Sequence, residues 1–463
     1  MTNNVEQFFK EIKDKKVAFC GIGKSNLPLI KMFKEKGIDV IACDSKERDQ
    51  VSGLANNLES MGIKLSLGAK YLENLDVDII FRTPGMKFLM PELIEARNHG
   101  VVVTSEMEVF FDLCPCKIIA VTGSDGKTTT TTIISEILRK EGKTVHLGGN
   151  IGSPLLPKIE EIKSSDIAVV ELSSFQLISM RKGPDIAVVT NVEPNHLDVH
   201  KDMNEYINAK KNLVLHQNAF SRAVLNLDND ISKNFSEHTR GETLFFSRKT
   251  KPENGVYLSS ENDIYIIKNG KSVKVMNASD IKIPGCHNIE NYMAAIAAVF
   301  GNVSIDSIVE VAKTFGGVEH RAEFVREVNG VKYYNDSIAS SPTRTARGTL
   351  SLFDRKIILI SGGYDKKIPF DALGPIIVDK VKLLILMGQT AEKIKKAVME
   401  ASNYCYGNPE FIVVSNMEEA VDMARKYAVK GDIVSLSPSC ASFDLYENFD
   451  KRGKHFKQLV NKI

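Results

Sequence analysis

The chain lacks an excess of charge of either sign: 60 Lys and Arg stand against 58 Asp and Glu, a formal charge of +2 over 463 residues. That balance excludes a general electrostatic pull toward nucleic acid or an anionic membrane, so a phosphate-bearing ligand must be held locally, by loops and a few placed cations. No uncharged apolar run of about 20 residues occurs, and the opening MTNNVEQFFKEIKDKK mixes acids and bases where a signal peptide has its apolar stretch. The expectation is a soluble, cytoplasmic protein with neither a membrane nor a nucleic-acid partner. Paired cysteine spacing is missing as well. The seven Cys are scattered at 20, 43, 114, 116, 286, 405 and 440, and the one close pair, Cys114-Pro115-Cys116, has no second pair to complete a zinc site. Free thiols are expected, and neither an internal repeat nor a low-complexity segment is visible.

What is present is an alternation of short β-branched runs with helical segments, the pattern of α/β domains built on largely parallel sheets. The length predicts about three domains, each large enough to bury its own core. In the first block Val17–Cys20, Asp39–Ala42, Ile79–Phe81 and Val101–Val103 read as strands. The second contributes Lys117–Val121, Ile167–Val170, Ile186–Val189 and Val224–Asn226, followed by a β-rich stretch at Thr243–Phe246, Ile264–Ile267 and Ser272–Val275. An apolar helix at Tyr292–Val299 leads to Gly316-Gly317, read as a hinge. The third block supplies Val331–Tyr334, Ile357–Ile360, Leu383–Leu386, Ile412–Val414 and Ile433–Leu436. The expected division is 1–106, 107–317 and 318–463, with Rossmann-like sheets at either end and a P-loop-type ATPase domain between them.

The sharpest local feature is Ile118-Ile119-Ala120-Val121-Thr122-Gly123-Ser124-Asp125-Gly126-Lys127-Thr128-Thr129, an apolar strand, a glycine-bearing turn and a helix start. Glycines let backbone N–H groups converge on phosphate oxygens, and the helix N-terminus adds partial positive charge. Lys127 then reaches the terminal phosphates and Thr128 a Mg²⁺ ion. The full P-loop pattern is not met, because Val121 stands where it has its first Gly, so a strand-to-helix turn without a ligand is the competing reading. Glu171, closing the run Ile167-Ala168-Val169-Val170, sits at the carboxyl edge of the sheet, where α/β ligands bind, and is a candidate metal ligand. His196, in Asn191-Val192-Glu193-Pro194-Asn195-His196-Leu197-Asp198, follows the next strand at the same edge. Near the N-terminus, Cys20-Gly21-Ile22-Gly23 with Asp44 ending the second strand is a two-glycine nucleotide turn whose third glycine is replaced by Asn26. It favours a nucleotide or nucleotide sugar over NAD, with Arg82-Thr83-Pro84-Gly85 closing over the ligand, against a ligand-free tight turn.

Taken in order, Gly123-Ser124-Asp125-Gly126-Lys127-Thr128, Glu171-Leu172-Ser173-Ser174-Phe175-Gln176-Leu177, Asn191…His196-Leu197-Asp198, Gly285-Cys286-His287-Asn288…Asn291 and His320-Arg321 resemble the Mur ligase superfamily. Tyr334-Asn335-Asp336-Ser337-Ile338-Ala339-Ser340-Ser341-Pro342-Thr343 and Leu436-Ser437-Pro438-Ser439-Cys440-Ala441-Ser442-Phe443-Asp444 narrow the likeness to the branch that joins D-glutamate to UDP-N-acetylmuramoyl-L-alanine. The resemblance implies an ATP-dependent amide ligase of peptidoglycan precursor synthesis, acting as a monomer. It further implies an acyl phosphate, two Mg²⁺ ions and closure of the last domain over ATP.

Residue by residue, the resemblance implies that Gly123, Ser124, Asp125, Gly126, Lys127, Thr128 and Thr129 cradle ATP, with Asn288 and Asn291 near the adenine and Arg321 and Asp336 on phosphate and ribose. Thr128, Glu171, His196 and Lys210 would hold the metals, Lys210 as a carbamate, which turns a cation into an oxygen ligand suited to hard Mg²⁺. Ser25, Asp44, Ser45, Gly85, Asn150 and His196 would bind the uridine-diphosphate substrate, and Ser340, Lys366, Ser442, Phe443 and Phe449 the D-glutamate. Where many relatives carry Lys in an Asn-Asp-Ser-Lys-Ala segment, this chain has Ile338, which removes a cation beside an acidic substrate unless Lys366 or Lys367 compensates. Three other readings stay in view: a superfamily ligase for another amino acid, a nicotinamide oxidoreductase on the Gly21 turn, and a nucleotide-gated switch without catalysis.

Overall fold

Runs of Val, Ile and Phe bounded by Gly, Asn and Asp become the strands of three separate sheets in the computed structural model, which describes residues 4–23, 25–73, 75–194 and 199–463. The first sheet contains β1 (Lys16–Cys20), β2 (Asp39–Asp44), β3 (Lys64–Leu67), β4 (Ile79–Arg82) and β5 (Val102–Thr104), all parallel in the order β3-β2-β1-β4-β5. Its strand order reverses between β1 and β4, which opens a crevice beyond their carboxyl ends. Phe19 and Phe81 from these two strands stack at 4.8 Å, and Phe33 meets both edge-on, so the sheet and the helix that follows β1, Leu27–Glu35, are locked by aromatic packing.

The second sheet comprises β6 (Lys117–Thr122), β7 (Val145–Gly149), β8 (Ile167–Glu171), β9 (Ile186–Val189), β10 (Arg222–Asn226), β11 (Glu242–Ser247), β12 (Gly255–Leu258), β13 (Asp263–Lys268) and β14 (Lys271–Asn277). The order is β14-β13-β12-β11-β10-β9-β6-β8-β7, and only the β12–β13 and β13–β14 pairs are antiparallel. Strand β6 lies between β8 and β9, which places the phosphate-loop candidate at a switch point of the sheet. The first two sheets belong to one compact unit, which extends to Ala278 and is completed by Glu290–Val311. One apolar core joins them, running from Val17 and Phe81 through Phe110 to Ala120 and Val170.

The other compact unit is formed by Ser279–Ile289 and Ala312–Ile463. It is built on β15 (Glu323–Val328), β16 (Val331–Asn335), β17 (Ile357–Ser361), β18 (Val381–Leu386), β19 (Glu410–Val413) and β20 (Ile433–Leu436), ordered β15-β16-β20-β17-β18-β19. Here β15–β16 is the antiparallel pair. The central strand β17 is buried at all five positions, and apolar clusters cover both faces of the sheet. Every strand expected from the sequence is found to within two residues at either end, and β3, β7, β12 and β15 are additional. All seven cysteines are free thiols. Among the described residues no helix is long and apolar enough to cross a membrane.

Candidate active site

Strand β6 delivers its last residue, Thr122, to a loop that only glycine can form at two places. Gly123 has φ +153° and Gly126 φ +78°, and Gly126 caps the helix Lys127–Lys140. A Cβ on Gly123 would overlap Thr190 Oγ1, and one on Gly126 would overlap Asn291 Oδ1. The loop is tied to the exit of β9. Ser124 N donates to Asn191 O and Asp125 N to Asn191 Oδ1, both at 2.9 Å, and Thr190 Oγ1 donates to the Asp125 carbonyl at 2.6 Å. Ser124 Oγ also donates to Glu193 O at 2.8 Å and lies 2.9 Å from Tyr206 OH. The protein's own hydrogen bonds therefore fix the turn, with Lys127, Thr128 and Thr129 forming the first turn of a helix whose N-terminal partial charge suits an anion.

Two lysines converge on one carbonyl. Lys127 Nζ donates to Gly123 O at 2.9 Å and to Ser124 O at 2.8 Å, and Lys210 Nζ donates to the same Gly123 O at 2.7 Å. Lys210, on the helix Met203–Leu215, is 1% exposed and lies over the Tyr206 ring, one turn earlier, at 4.7 Å. Burial, reinforced by the Lys127 charge, drives its pKa well below the usual lysine value, which favours the neutral amine. Across the loop, Glu171 at the end of β8 is also 1% exposed. Its Oε1 accepts from Asn150 Nδ2 at 2.7 Å, and its buried Oε2 has no hydrogen-bond partner among the described residues. A buried carboxylate oxygen left without a donor fits a hard cation. The predicted phosphate and metal residues thus meet at one sheet edge with Asn150 and Asn291; His196 lies outside the described residues.

In the first sheet, Gly21 has φ +94°, and a Cβ there would come within 2.9 Å of Thr83 Cγ2, so the turn after β1 presses against the turn after β4. Asp44 ends β2 with Oδ2 accepting from Ile22 N and Oδ1 from Lys46 N, each at 3.0 Å. Its carboxylate organises the glycine turn. Half-buried Ser25 and exposed Ser45 and Gly85 sit at the same carboxyl edge. Asn26, where a third glycine would stand, is 1% exposed and donates to Cys20 O at 3.1 Å, which braces the turn.

In the second unit, Ser340 and Lys366 line one small cavity together with Tyr364, Asp365, Ser439 and Cys440. Ser442 is buried just beyond it, while Phe443 and Phe449 are exposed, Phe443 meeting the Tyr364 ring edge-on at 5.8 Å. Asp336 is 4% exposed. It accepts from Thr349 Oγ1 at 2.7 Å, Ser437 Oγ at 3.0 Å and Ala322 N at 3.2 Å, and burial raises its pKa to about 6. Its carboxylate is engaged within its own unit, next to exposed Arg321. Asn288 Nδ2 donates to Pro284 O at 2.6 Å at the start of the helix Cys286–Val299. His320, beside exposed Arg321, is buried. It is 3% exposed at φ +62°, held by Asn335 Nδ2 at 2.8 Å and Asp450 at 3.2 Å.

Residues 121–299 match the Mur ligase middle domain, and residues 320–440 match the Mur ligase glutamate ligase domain. The chain is 53% identical to the UDP-N-acetylmuramoylalanine–D-glutamate ligase of Acetivibrio thermocellus over 467 aligned residues, covering 100% of both, and 50% identical to that of Clostridium botulinum, again over 100% of both. The chain belongs to the Mur ligase family. Solved structures agree on the fold of this Mur ligase. The UDP-N-acetylmuramate–alanine ligase of Thermotoga maritima superposes with a TM-score of 0.57 at 18% identity, covering 97% of this chain and 99% of the other. A pseudomurein peptide ligase from Methanothermus fervidus gives 0.53 at 18%, covering 97% and 100%.

Several side chains of this Mur ligase brace the site through contacts that its sequence motifs do not reveal. Tyr206 and Asn191 hold the phosphate loop; Tyr206 is four residues before Lys210, a spacing that puts both on one helix face. His200 joins Ser174 at 2.9 Å to Glu205 at 3.0 Å and stacks on Phe175. Arg82 is 1% exposed and donates to Ser179 Oγ at 2.6 Å and to Phe175 O at 3.0 Å, which fixes the start of the Thr83-Pro84-Gly85 turn to the second sheet's layer. Arg452, on the helix Phe449–Lys462, is buried between the loops that follow β16 and β20.

Proposed function

We propose that this chain joins D-glutamate to UDP-N-acetylmuramoyl-L-alanine at the expense of ATP, through an acyl phosphate, in cytoplasmic peptidoglycan precursor synthesis. The observation that carries the reading is the convergence of Lys127, Lys210 and the orphaned Glu171 Oε2 on the glycine loop after β6. Full-length identity of 53% and 50% to D-glutamate ligases supports the choice of amino acid. On this reading residues 1–106 bind the uridine-diphosphate substrate, 107–317 bind ATP and 318–463 bind the amino acid.

A carboxylate is a poor electrophile, so its oxygen first takes the γ-phosphoryl group; the amine of D-glutamate then attacks the carbonyl and phosphate leaves. Phosphoryl transfer needs positioning and charge neutralisation more than covalent help from the protein. Lys127 supplies a cation that exchanges the Gly123 and Ser124 carbonyls for phosphate oxygens. Thr128, Glu171, His196 and Lys210 would hold Mg²⁺ at two sites, Lys210 as a carbamate, and bound Mg²⁺ neutralises phosphate charge. Burial of the Lys210 amine beside the site favours that modification. Ser25, Asp44, Ser45, Gly85 and Asn150 orient the nucleotide sugar, with Asn150 also bracing Glu171. Ser340, Lys366, Ser442, Phe443 and Phe449 seat D-glutamate, and Asn288, Asn291, Arg321 and Asp336 complete the ATP site.

The test is ADP release from purified protein supplied with ATP, Mg²⁺ and UDP-N-acetylmuramoyl-L-alanine, with D-Glu, L-Glu, L-Lys or D-Ala-D-Ala in turn. Turnover with D-Glu alone is expected. Turnover only with another amino acid refutes the substrate assignment, and ATP binding without stimulated turnover points to a nucleotide-gated switch.

A further inference from the structure

The amino-acid cavity of the second unit has a charge shortfall. A dicarboxylic amino acid whose amine is deprotonated for attack brings two uncompensated carboxylates, and among the described residues lining the cavity Lys366 is the cation. Asp365, which also lines it, is neutralised by an ion pair with Lys393 and accepts from Lys367 N at 2.8 Å. Arg452 lies behind Cys440 but gives its donors to Ser337, Cys440 and Ala441, at 2.9–3.1 Å. Ile338 offers no charge at all.

The next cation along the chain is Arg344, on the short helix Pro342–Arg347 that begins two residues after Ser340. Its Nη1 donates to the Ile338 carbonyl at 3.4 Å, and the Ser340 amide donates to that same oxygen at 2.8 Å. The guanidinium is therefore anchored on the acceptor that also fixes cavity-lining Ser340. Arg344 is exposed, so its remaining donors face solvent-accessible space. A neutral carbonyl at 3.4 Å is near the outer limit of a hydrogen bond, and a carboxylate is a stronger, shorter acceptor for a planar guanidinium. Exchange of the one for the other is favourable whenever a carboxylate enters.

We infer that Arg344 is a specificity residue for the amino-acid substrate, pairing with one of its two carboxylates while Lys366 takes the other. This rests on the D-glutamate reading above. The experiment is ADP release by wild type, Arg344→Ala and Arg344→Lys with D-Glu, D-glutamine and D-isoglutamine, the last two being the monoamides that each lack one carboxylate. Arg344→Ala is expected to raise KM for D-Glu about tenfold, leave KM for ATP and for the uridine-diphosphate substrate within about twofold, and recover partly as Arg344→Lys. The penalty should vanish for the one monoamide that lacks the partner carboxylate. A penalty that persists with both monoamides, equal losses for all three substrates, or an unchanged KM for D-Glu overturns the assignment. Failure of the D-glutamate reading itself is distinguishable, since it shows as absent D-Glu-dependent turnover in the unmutated enzyme.

Discussion

Replacing Arg452 by Met removes a buried cation while keeping most of its apolar stem. The guanidinium is 1% exposed and makes four hydrogen bonds, to Ser337 Oγ, Ser337 O, Cys440 O and Ala441 O. Burial lowers its pKa from 12.5 to about 10, which corresponds to a desolvation cost of about 3 kcal/mol. Hydrogen bonds from a charged donor are each worth about 1.5–3 kcal/mol, so four of them exceed that cost. The buried carbonyls of Ser337 and Cys440 would lose their donor, whereas Ala441 O keeps Tyr364 N at 3.0 Å, and at about 1–3 kcal/mol for each orphaned group the expected net loss is about 2–5 kcal/mol. The chain contains no Trp, so urea unfolding is best followed by far-ultraviolet circular dichroism. Hydrogen exchange at residues 336–342 and 437–444 localises the effect to the loops after β16 and β20. A transition displaced by less than about 1 kcal/mol, or exchange unchanged in those loops, would show that the arginine braces nothing.

Lys127→Ala removes the cation nearest the phosphate loop and should lower kcat for ADP release by about 10²–10³; near-wild-type turnover sinks the catalytic assignment. Gly126→Ala forces an L side chain into φ +78° against Asn291 Oδ1, and about 1.4 kcal/mol of strain would weaken ATP binding about tenfold. Calorimetric titration with ATP checks this, and unaltered affinity contradicts it. Asp336, raised from 3.8 to about 6, holds a proton in the folded state that the unfolded chain releases, so its contribution is full below pH 3.8 and is lost as pH rises through 6. Asp336→Asn should therefore flatten the stability loss between those pH values, by up to about 3 kcal/mol; parallel melting-temperature profiles for the two proteins from pH 4 to 7 would argue against it.

Strands buried on both faces were legible because they read as unbroken β-branched runs, as in Ile357–Ser361 and Ile433–Leu436. The four extra strands hide for separate reasons. Val145–Gly149 ends in two glycines, the second packed so close to the Glu171 carbonyl that no side chain fits. Gly255–Leu258 opens on a glycine pressed against Phe245 O in the same way. Lys64–Leu67 is a short edge strand of mixed polarity, and Glu323–Val328 is an edge strand without a fully buried residue. The phosphate loop was legible because glycine at φ +153° and +78° is a backbone requirement written directly in residue type. Lys210 and Arg452 were not. A single basic residue on an amphipathic helix looks the same whether it is solvated or buried, and only the packed structure tells which. The resemblance marked Lys210, and nothing marked Arg452.

Arg452 also sets an order of events at the ribosome. It is synthesised after every group it fastens, Ser337, Cys440 and Ala441 among them. A nascent chain can complete the glycine loop at Gly123 and its clamp at Asn191 while the amino-acid cavity still lacks its brace. A chain arrested before the final helix would thus carry a complete glycine loop, while the loops after β16 and β20 would still lack the anchor that ties them together.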